Sequence, residues 1–340
     1  MPPFSVGDHR VGPDSETFVV AEAGLNHDGD YDRAERLVDA AAEAGADAVK
    51  FQTFTGAGLY GEGSDLADTF ADVEMPHDWI PRLATYAADR GVTFLSSPFD
   101  RDAVDALDPH VPAFKIASAT LSDLEFLQYV ARREKPILLS TGMHELDEIE
   151  AALTTLDEAD ADVALLHCVS AYPTPLSEIN VRMVESLRDR FDVPVGLSDH
   201  TEDPTTAPAA AVALGASVVE KHLTDDSSRE GGDHAMALEP DEFAAMVDAI
   251  EKTEVALGDR EKAVVDVEQD AYAASRRSVY ATRRIDAGER ITEGNTAILR
   301  PGERERGLDP AARADLVGRE ATATIDVDEP VTWEKVADDK

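Results

Sequence analysis

Residues 195–201 read V-G-L-S-D-H-T, and residues 217–222 read S-V-V-E-K-H. Each is a short run with β-branched residues that ends in a polar cluster holding a histidine, His200 in the first and His222 in the second. The intervening 204–215 segment is rich in alanine and closes on Gly215, which suits a tightly packed helix. A strand, a helix and a second parallel strand bring the two imidazoles to the same end of neighbouring strands, where a β/α barrel carries its chemistry. A metal or catalytic site is one reading of the pair; hydrogen-bonded structural histidines are the other.

The same alternation continues outward. Strand-like runs end near Ala23, Phe51, Ser96, Ile116, Leu139, Cys168, Leu197 and Glu220. Between them lie helical patterns such as Ala34, Leu37, Val38 and Ala41, which stops at Gly45. Eight strand candidates separated by helices predict a (β/α)8 TIM barrel, an α/β fold. An open doubly wound sheet shares the pattern, but the G-L-N-H-D-G after the first strand is too polar and wrongly spaced for a dinucleotide fingerprint. The resulting plan is a polar lead-in arm over 1–15, a barrel over 16–257, a charged linker over 258–275 and a small β-rich domain over 276–340.

The 340 residues include 70 acidic and 31 basic ones, giving a formal net charge of -39 spread over both halves. That field repels nucleic acid and anionic membranes, yet it permits a small anionic substrate held by a few focused cations. The composition suits a very salty cytoplasm, where screening shortens the reach of self-repulsion. Cys168 is the single cysteine, which excludes an intrachain disulfide, and its apolar run reads as a buried, inert thiol. No apolar run approaches the roughly 20 residues of a membrane span, so a cytoplasmic location is the expectation.

Polar residues collect at the strand ends. Glu22, Asn26 and His27 follow the first strand, Lys50 and Gln52 the second, Ser96 and Ser97 the third, Lys115 and Ser118 the fourth, and Ser140 and Thr141 the fifth. His167, Ser170 and Tyr172 follow the sixth, Ser198, Asp199 and His200 the seventh, and Glu220, Lys221 and His222 the eighth. Hydroxyls and lysines around one cavity suit phosphate or carboxylate, and imidazoles beside carboxylates suit a divalent metal that polarises a carbonyl. Plainer readings exist: Lys50 and Lys115 pair structurally, Glu22 caps a loop, and His167 is a satisfied core histidine.

With these residues in place, the chain resembles the N-acetylneuraminate (sialic acid) synthase family. The resemblance rests on A-E-A-G-L-N-H-D-G from Ala21, G-A-D-A-V-K-F-Q-T-F from Gly45, F-L-S-S-P-F-D from Phe94 and K-I-A-S from Lys115. It continues through L-L-S-T-G-M from Leu138, H-C-V-S-A-Y-P-T-P from His167, V-G-L-S-D-H-T, V-V-E-K-H and G-G-D-H, and into R-R-S-V-Y, D-A-G-E-R-I and R-P-G of the final domain. It implies a TIM barrel followed by an SAF (antifreeze-like, β-clip) domain, in a domain-swapped homodimer whose small domain covers the partner's barrel.

The implied reaction condenses phosphoenolpyruvate with an N-acylated hexose such as N-acetylmannosamine or its 6-phosphate, releasing phosphate with the help of a divalent metal, Mn2+ or Mg2+. Legionaminic or pseudaminic acid is the alternative product, and a non-catalytic sugar-binding protein is a remoter one. By the same resemblance His200 and His222 are the metal ligands, and Lys50, Ser97, Lys115, Ser118, Ser140 and Ser198 hold phosphoenolpyruvate. Glu22, Tyr172, Glu220 and Asp233 stand at the reaction centre and sugar site, and Arg300 contacts the N-acyl sugar, with Arg304 and Arg306 as alternatives. The chain departs from the family pattern in the acidic stretch after Lys50, in the longer R-P-G-E-R-E-R-G-L-D-P, and at Ser170.

Overall fold

The computed structural model describes residues 3–258 and 261–338, in two compact units divided after Gly258. The first holds eight parallel strands: β3 (Phe18–Gly24), β4 (Ala48–Thr53), β5 (Thr93–Pro98), β6 (Phe114–Ile116), β7 (Ile137–Ser140), β8 (Val163–Cys168), β9 (Val195–Asp199) and β10 (Val218–His222). Their order is β5-β4-β3-β10-β9-β8-β7-β6, and β5 and β6 at the ends lie against each other, so the sheet nearly closes into the expected barrel.

Side-chain alternation in these strands separates two apolar layers. Val19, Ala21, Val49, Phe51, Leu139, Leu165, Leu197 and Val219 face outward and pack with buried helix residues such as Leu37, Leu83, Leu127 and Phe243. Phe18, Val20, Ala48, Leu95, Leu138, Ala164, Leu166 and Val218 face inward and form a separate floor. The helices end for local reasons. Asp30 caps Tyr31–Glu43 by accepting from the Arg33 amide, and Pro240–Leu257 begins with proline and stops at Gly258, whose φ is +56°.

Three segments differ from expectation. The 1–15 stretch is more than a lead-in: β1 (Phe4–Val6) and β2 (His9–Val11) form an antiparallel hairpin, and Phe4, Val6 and Val11 complete the barrel floor. Only three large apolar side chains among polar, Pro- and Gly-containing neighbours do this, too weak a pattern to read as a buried element. The acidic stretch after Lys50, for which the sequence reading gave no element, folds into two short helices, Gly56–Tyr60 and Asp65–Ala71, capped by Thr55 and Ser64. The stretch read as a linker contains the helix Gln269–Ser275, which has no buried residue.

In the second unit β11 (Ser278–Ala281) pairs antiparallel with β12 (Thr296–Leu299), and Val279, Ile285, Ile291, Leu316, Ile325 and Val331 make its core. The small antiparallel β unit matches the sequence expectation of a β-rich appendix.

The hairpin's contribution is testable by denaturant unfolding. Phe4→Ala is expected to destabilise the barrel by about 3 kcal/mol, the cost of deleting a buried aromatic ring. A loss near zero would return 1–15 to a dispensable arm.

Candidate functional site

One step above the apolar floor, the inward positions change character. Glu22 on β3, Lys50 on β4, Ser97 on β5, Lys115 on β6, Ser140 on β7, Ser198 on β9 and Glu220 on β10 are all buried. Sheet register explains their meeting, because Glu22 lies opposite Lys50 and Glu220 opposite Ser198 across neighbouring strands. Lys50 Nζ lies 2.5 Å from Glu22 Oε2 and 3.7 Å from Glu220 Oε2, and it donates to Ser97 Oγ at 3.2 Å. Lys115 Nζ is 3.5 Å from Glu220 Oε1, which also accepts from Ser198 Oγ at 2.9 Å. Gln52 Nε2 donates to Glu22 Oε1 at 2.9 Å.

Both lysines are ion-paired, as the plainer reading had them, and both lie in the same buried polar layer. Burial drives the Glu22 pKa from its ordinary 4.5 to about 7, against the pull of Lys50 and with the push of Glu220. Burial acts on Glu220 in the same sense, but Lys115 and Lys50 outweigh it and hold this carboxyl below its ordinary range. Burial also lowers the Lys115 pKa, whereas at Lys50 the two carboxylates outweigh burial and raise it. Two neighbouring carboxyls thus have opposite proton affinities.

Above this layer the two histidines come together, with ring centroids 5.4 Å apart. His200 Nδ1 is 2.9 Å from the Val169 carbonyl and 3.9 Å from Cys168 Sγ. His222 Nδ1 is buried without a hydrogen bond and stands 3.6 Å from Asp233 Oδ2. Burial and the nearby His200 push the His222 pKa well down, so its imidazole is neutral and offers a lone pair. Tyr172 is largely exposed, its ring centroid 4.3 Å from that of His200 and 6.4 Å from that of His222.

Among the described residues, no group of three or more His, Cys, Asp or Glu side chains is arranged to hold a metal ion. The donor chemistry fits one nonetheless: a neutral, orphaned imidazole nitrogen beside a second imidazole, with Asp233 near, leaves remaining positions to water or substrate oxygens.

One neighbour, Gly142, was not singled out in the sequence. Gly142 follows β7, and its amide donates to Ser118 Oγ at 3.0 Å. A Cβ there would lie 2.4 Å from Ser170 Oγ and 2.9 Å from Ser118 Oγ, so only glycine lets these hydroxyls converge. Ser140 Oγ is buried and, among the described residues, has no hydrogen-bond partner. Cys168, expected to be buried, is, but it touches His200 and Ser118 rather than standing apart from the site. His167 points out of the barrel with Nε2 2.6 Å from the Ile179 carbonyl, the satisfied histidine expected. Lys221 likewise leaves the site, pairing with Asp199 at 2.6 Å.

In the second unit, Arg304 lies over the Tyr280 ring and donates to the Pro301 and Arg300 carbonyls, and Arg306 reaches Tyr272 and Asp309. Arg300 is exposed, and among the described residues its guanidinium has no hydrogen-bond or ion-pair partner.

A parallel barrel whose strand ends carry paired lysines and carboxylates, convergent hydroxyls and two facing imidazoles defines an enzyme for small anionic substrates. Residues 37–262 match the NeuB family and residues 276–337 the SAF domain. The chain belongs to the NeuB family, whose members share a phosphoenolpyruvate-dependent condensation that forms a carbon–carbon bond and a nonulosonic-acid-type sugar acid. The spore coat polysaccharide biosynthesis protein SpsE of Bacillus subtilis is 38% identical, with 99% of this chain and 98% of that protein aligned. Its crystal structure superposes with a TM-score of 0.70 over 100% of both chains. The N,N'-diacetyllegionaminic acid synthase of Campylobacter jejuni is 36% identical, covering 92% of this chain and 98% of the relative. The N-acetylneuraminate-9-phosphate synthase of Mus musculus is 33% identical, covering 96% and 94%. No described helix is long and apolar enough to cross a membrane.

Glu22 supplies a pH test. Its folded pKa, raised from 4.5 to about 7, means that the proton it keeps in the fold contributes stability that is fully present below pH 4.5 and is lost as pH rises through 7. Relative to Glu22→Gln, which lacks the titration, the wild-type unfolding free energy is expected to fall across that window. Parallel curves for the two proteins would show that Glu22 titrates normally.

Proposed function

We propose that the chain is a nonulosonic acid synthase of the legionaminic or pseudaminic kind, joining phosphoenolpyruvate to an unphosphorylated, N-acylated hexose. The observation that carries the condensation is the buried layer in which Lys50 and Lys115 meet Glu22 and Glu220 under convergent hydroxyls. The choice of product follows the bacterial legionaminic acid synthase, to which this chain is somewhat more similar than to the mammalian N-acetylneuraminate-9-phosphate synthase. The stretch after β4, with Glu62, Asp65 and Asp68 at its surface, disfavours a phosphorylated sugar. N-acetylmannosamine, giving sialic acid itself, is the competing acceptor.

In this reading Lys50, Lys115, Ser97, Ser118, Ser140 and Ser198 hold the carboxylate and phosphate of phosphoenolpyruvate, with its alkene carbon facing the acceptor aldehyde. That carbon attacks the aldehyde, water adds to the resulting cationic centre, and the tetrahedral adduct expels phosphate. Glu22, with a pKa near neutrality, exchanges the proton that moves between aldehyde oxygen and water. Glu220 stays ionised and fixes the lysines and Ser198. His200 and His222 would hold a divalent metal, Mn2+ or Mg2+, which would supply Lewis-acid polarisation of the acceptor carbonyl. Tyr172 and Asp233 border the acceptor beside those imidazoles, and Arg300 reaches the N-acyl group from the small domain of the second copy in a homodimer.

The test is an acceptor screen in high salt, following phosphate release and product mass together. A diacetamido-trideoxyhexose is expected to turn over best. Preference for N-acetylmannosamine would move the product to sialic acid, and no phosphate release with any N-acylated hexose would defeat the synthase reading. His222→Ala is expected to lose about 100-fold or more of the metal-dependent turnover while keeping its circular dichroism. Unchanged metal dependence would remove His222 from the ligand set.

A further inference from the structure

The segment between β10 and the last barrel helix carries Asp233, yet its sequence from Thr224 to His234 is T-D-D-S-S-R-E-G-G-D-H, without one large apolar side chain. Such a loop cannot be fastened by burial of apolar area and depends on polar anchors. Its neck is tied by the Thr224 amide to the Leu238 carbonyl and the Leu238 amide to the His222 carbonyl.

Beyond the neck, Ser227 donates to Glu239 Oε1 and Asp225 faces Arg33 and Arg36, while Arg229 and His234 meet on one carboxylate of the loop after β3. Asp28 Oδ2 accepts from Arg229 Nε at 3.0 Å and Nη2 at 2.7 Å, and from Arg33 Nη1 at 2.5 Å. Asp28 Oδ1 lies 3.1 Å from His234 Nε2, while Thr224 Oγ1 is 2.7 Å from the other ring nitrogen of His234. Partial burial works to raise the Asp28 pKa, but the bonds from His234 and Arg229 hold it below the ordinary carboxylate value.

Arg229 and His234 bracket Gly231 and Gly232, whose φ angles are +89° and +52°, and Asp233 itself. The intervening Glu230, Gly231 and Gly232 are exposed. Within the bracket the Asp233 amide donates to Asn26 Oδ1 at 2.9 Å, and its carboxylate stands 3.6 Å from His222 Nδ1. A Cβ added at Gly24 would lie 3.1 Å from Glu22 Oε1 and 3.4 Å from Asp233 Oδ2, so the bracketed carboxylate adjoins the reaction layer.

We infer that Asp28 is a positioning residue for the condensation: by clamping Arg229 and His234 on either side of a two-glycine hinge, it holds Asp233 beside His222, where the acceptor sugar binds. The inference rests on the condensation reading for the acceptor's place, and on the loop contacts alone for the clamp. Asp28 touches neither reacting partner in this account. Its loss leaves the phosphoenolpyruvate pocket intact and releases the acceptor side.

Two readouts on the full chain test it. Asp28→Asn keeps the shape but leaves the Arg229 guanidinium without its carboxylate, Arg33 retaining Asp225 at 3.3 Å, and it is expected to raise KM for the acceptor about 10-fold while leaving KM for phosphoenolpyruvate within about twofold. Asp28→Glu, which restores the charge, is expected to recover part of that loss. By hydrogen exchange, the amides of residues 226–234 should open faster in Asp28→Asn, with those of the barrel strands unchanged. Equal shifts in both KM values, or unaltered exchange of the loop, would overturn the proposal. Should the wild-type protein turn over no acceptor, the condensation reading falls, and the exchange experiment still decides the clamp.

Discussion

Two ammonium groups and two carboxylates, buried together one inward position above an apolar floor, set the terms for the rest of this barrel. Lys50, Lys115, Glu22 and Glu220 are each almost fully enclosed. Each would be costly alone, and removing one partner of such a set leaves an uncompensated charge. The floor beneath them, sealed by Phe4, Val6 and Val11, keeps water from entering from below and lowers the local dielectric. The hydroxyls of Ser97 and Ser198 are satisfied by that cluster, while Ser140 Oγ is left over.

The position of the cations matters more in this chain than in a neutral one. With a formal net charge of -39, the long-range field opposes any anionic substrate. Of the chain's eight lysines, Lys50 and Lys115 are buried in the polar layer beside Glu22 and Glu220, and Lys221 is spent on Asp199. Salt screens the surface charge more strongly than the buried set, so high salt weakens the opposing field while leaving the enclosed ion pairs.

Much of this was legible because strand alternation is a strict rule. Once V-G-L-S-D-H-T and S-V-V-E-K-H were read as strands, Ser198, His200, Glu220 and His222 had to share the inward face, and they do. The same rule sent His167 and Lys221 outward, which residue type alone did not reveal. What remained hidden depended on contacts between distant loops. Asp28 and Arg229 are 201 positions apart, and nothing in either segment announces that one carboxylate joins them. Gly142 is silent for another reason: its contribution is the absence of a side chain among three others. The floor hairpin was missed because its apolar residues are few.

The central claim is that the buried lysine pair is a binding site for phosphoenolpyruvate and not only an ion-pair network. Calorimetric titration of phosphoenolpyruvate into wild-type protein and Lys115→Met, in the presence of metal and at fixed high salt, tests it directly. A charge-assisted contact from an enclosed ammonium predicts a Kd raised by about 10-fold or more in the variant, with the fold retained by circular dichroism. Equal affinity in the two proteins, with both folded, would contradict the account and leave Lys50, Lys115, Glu22 and Glu220 as a structural cluster.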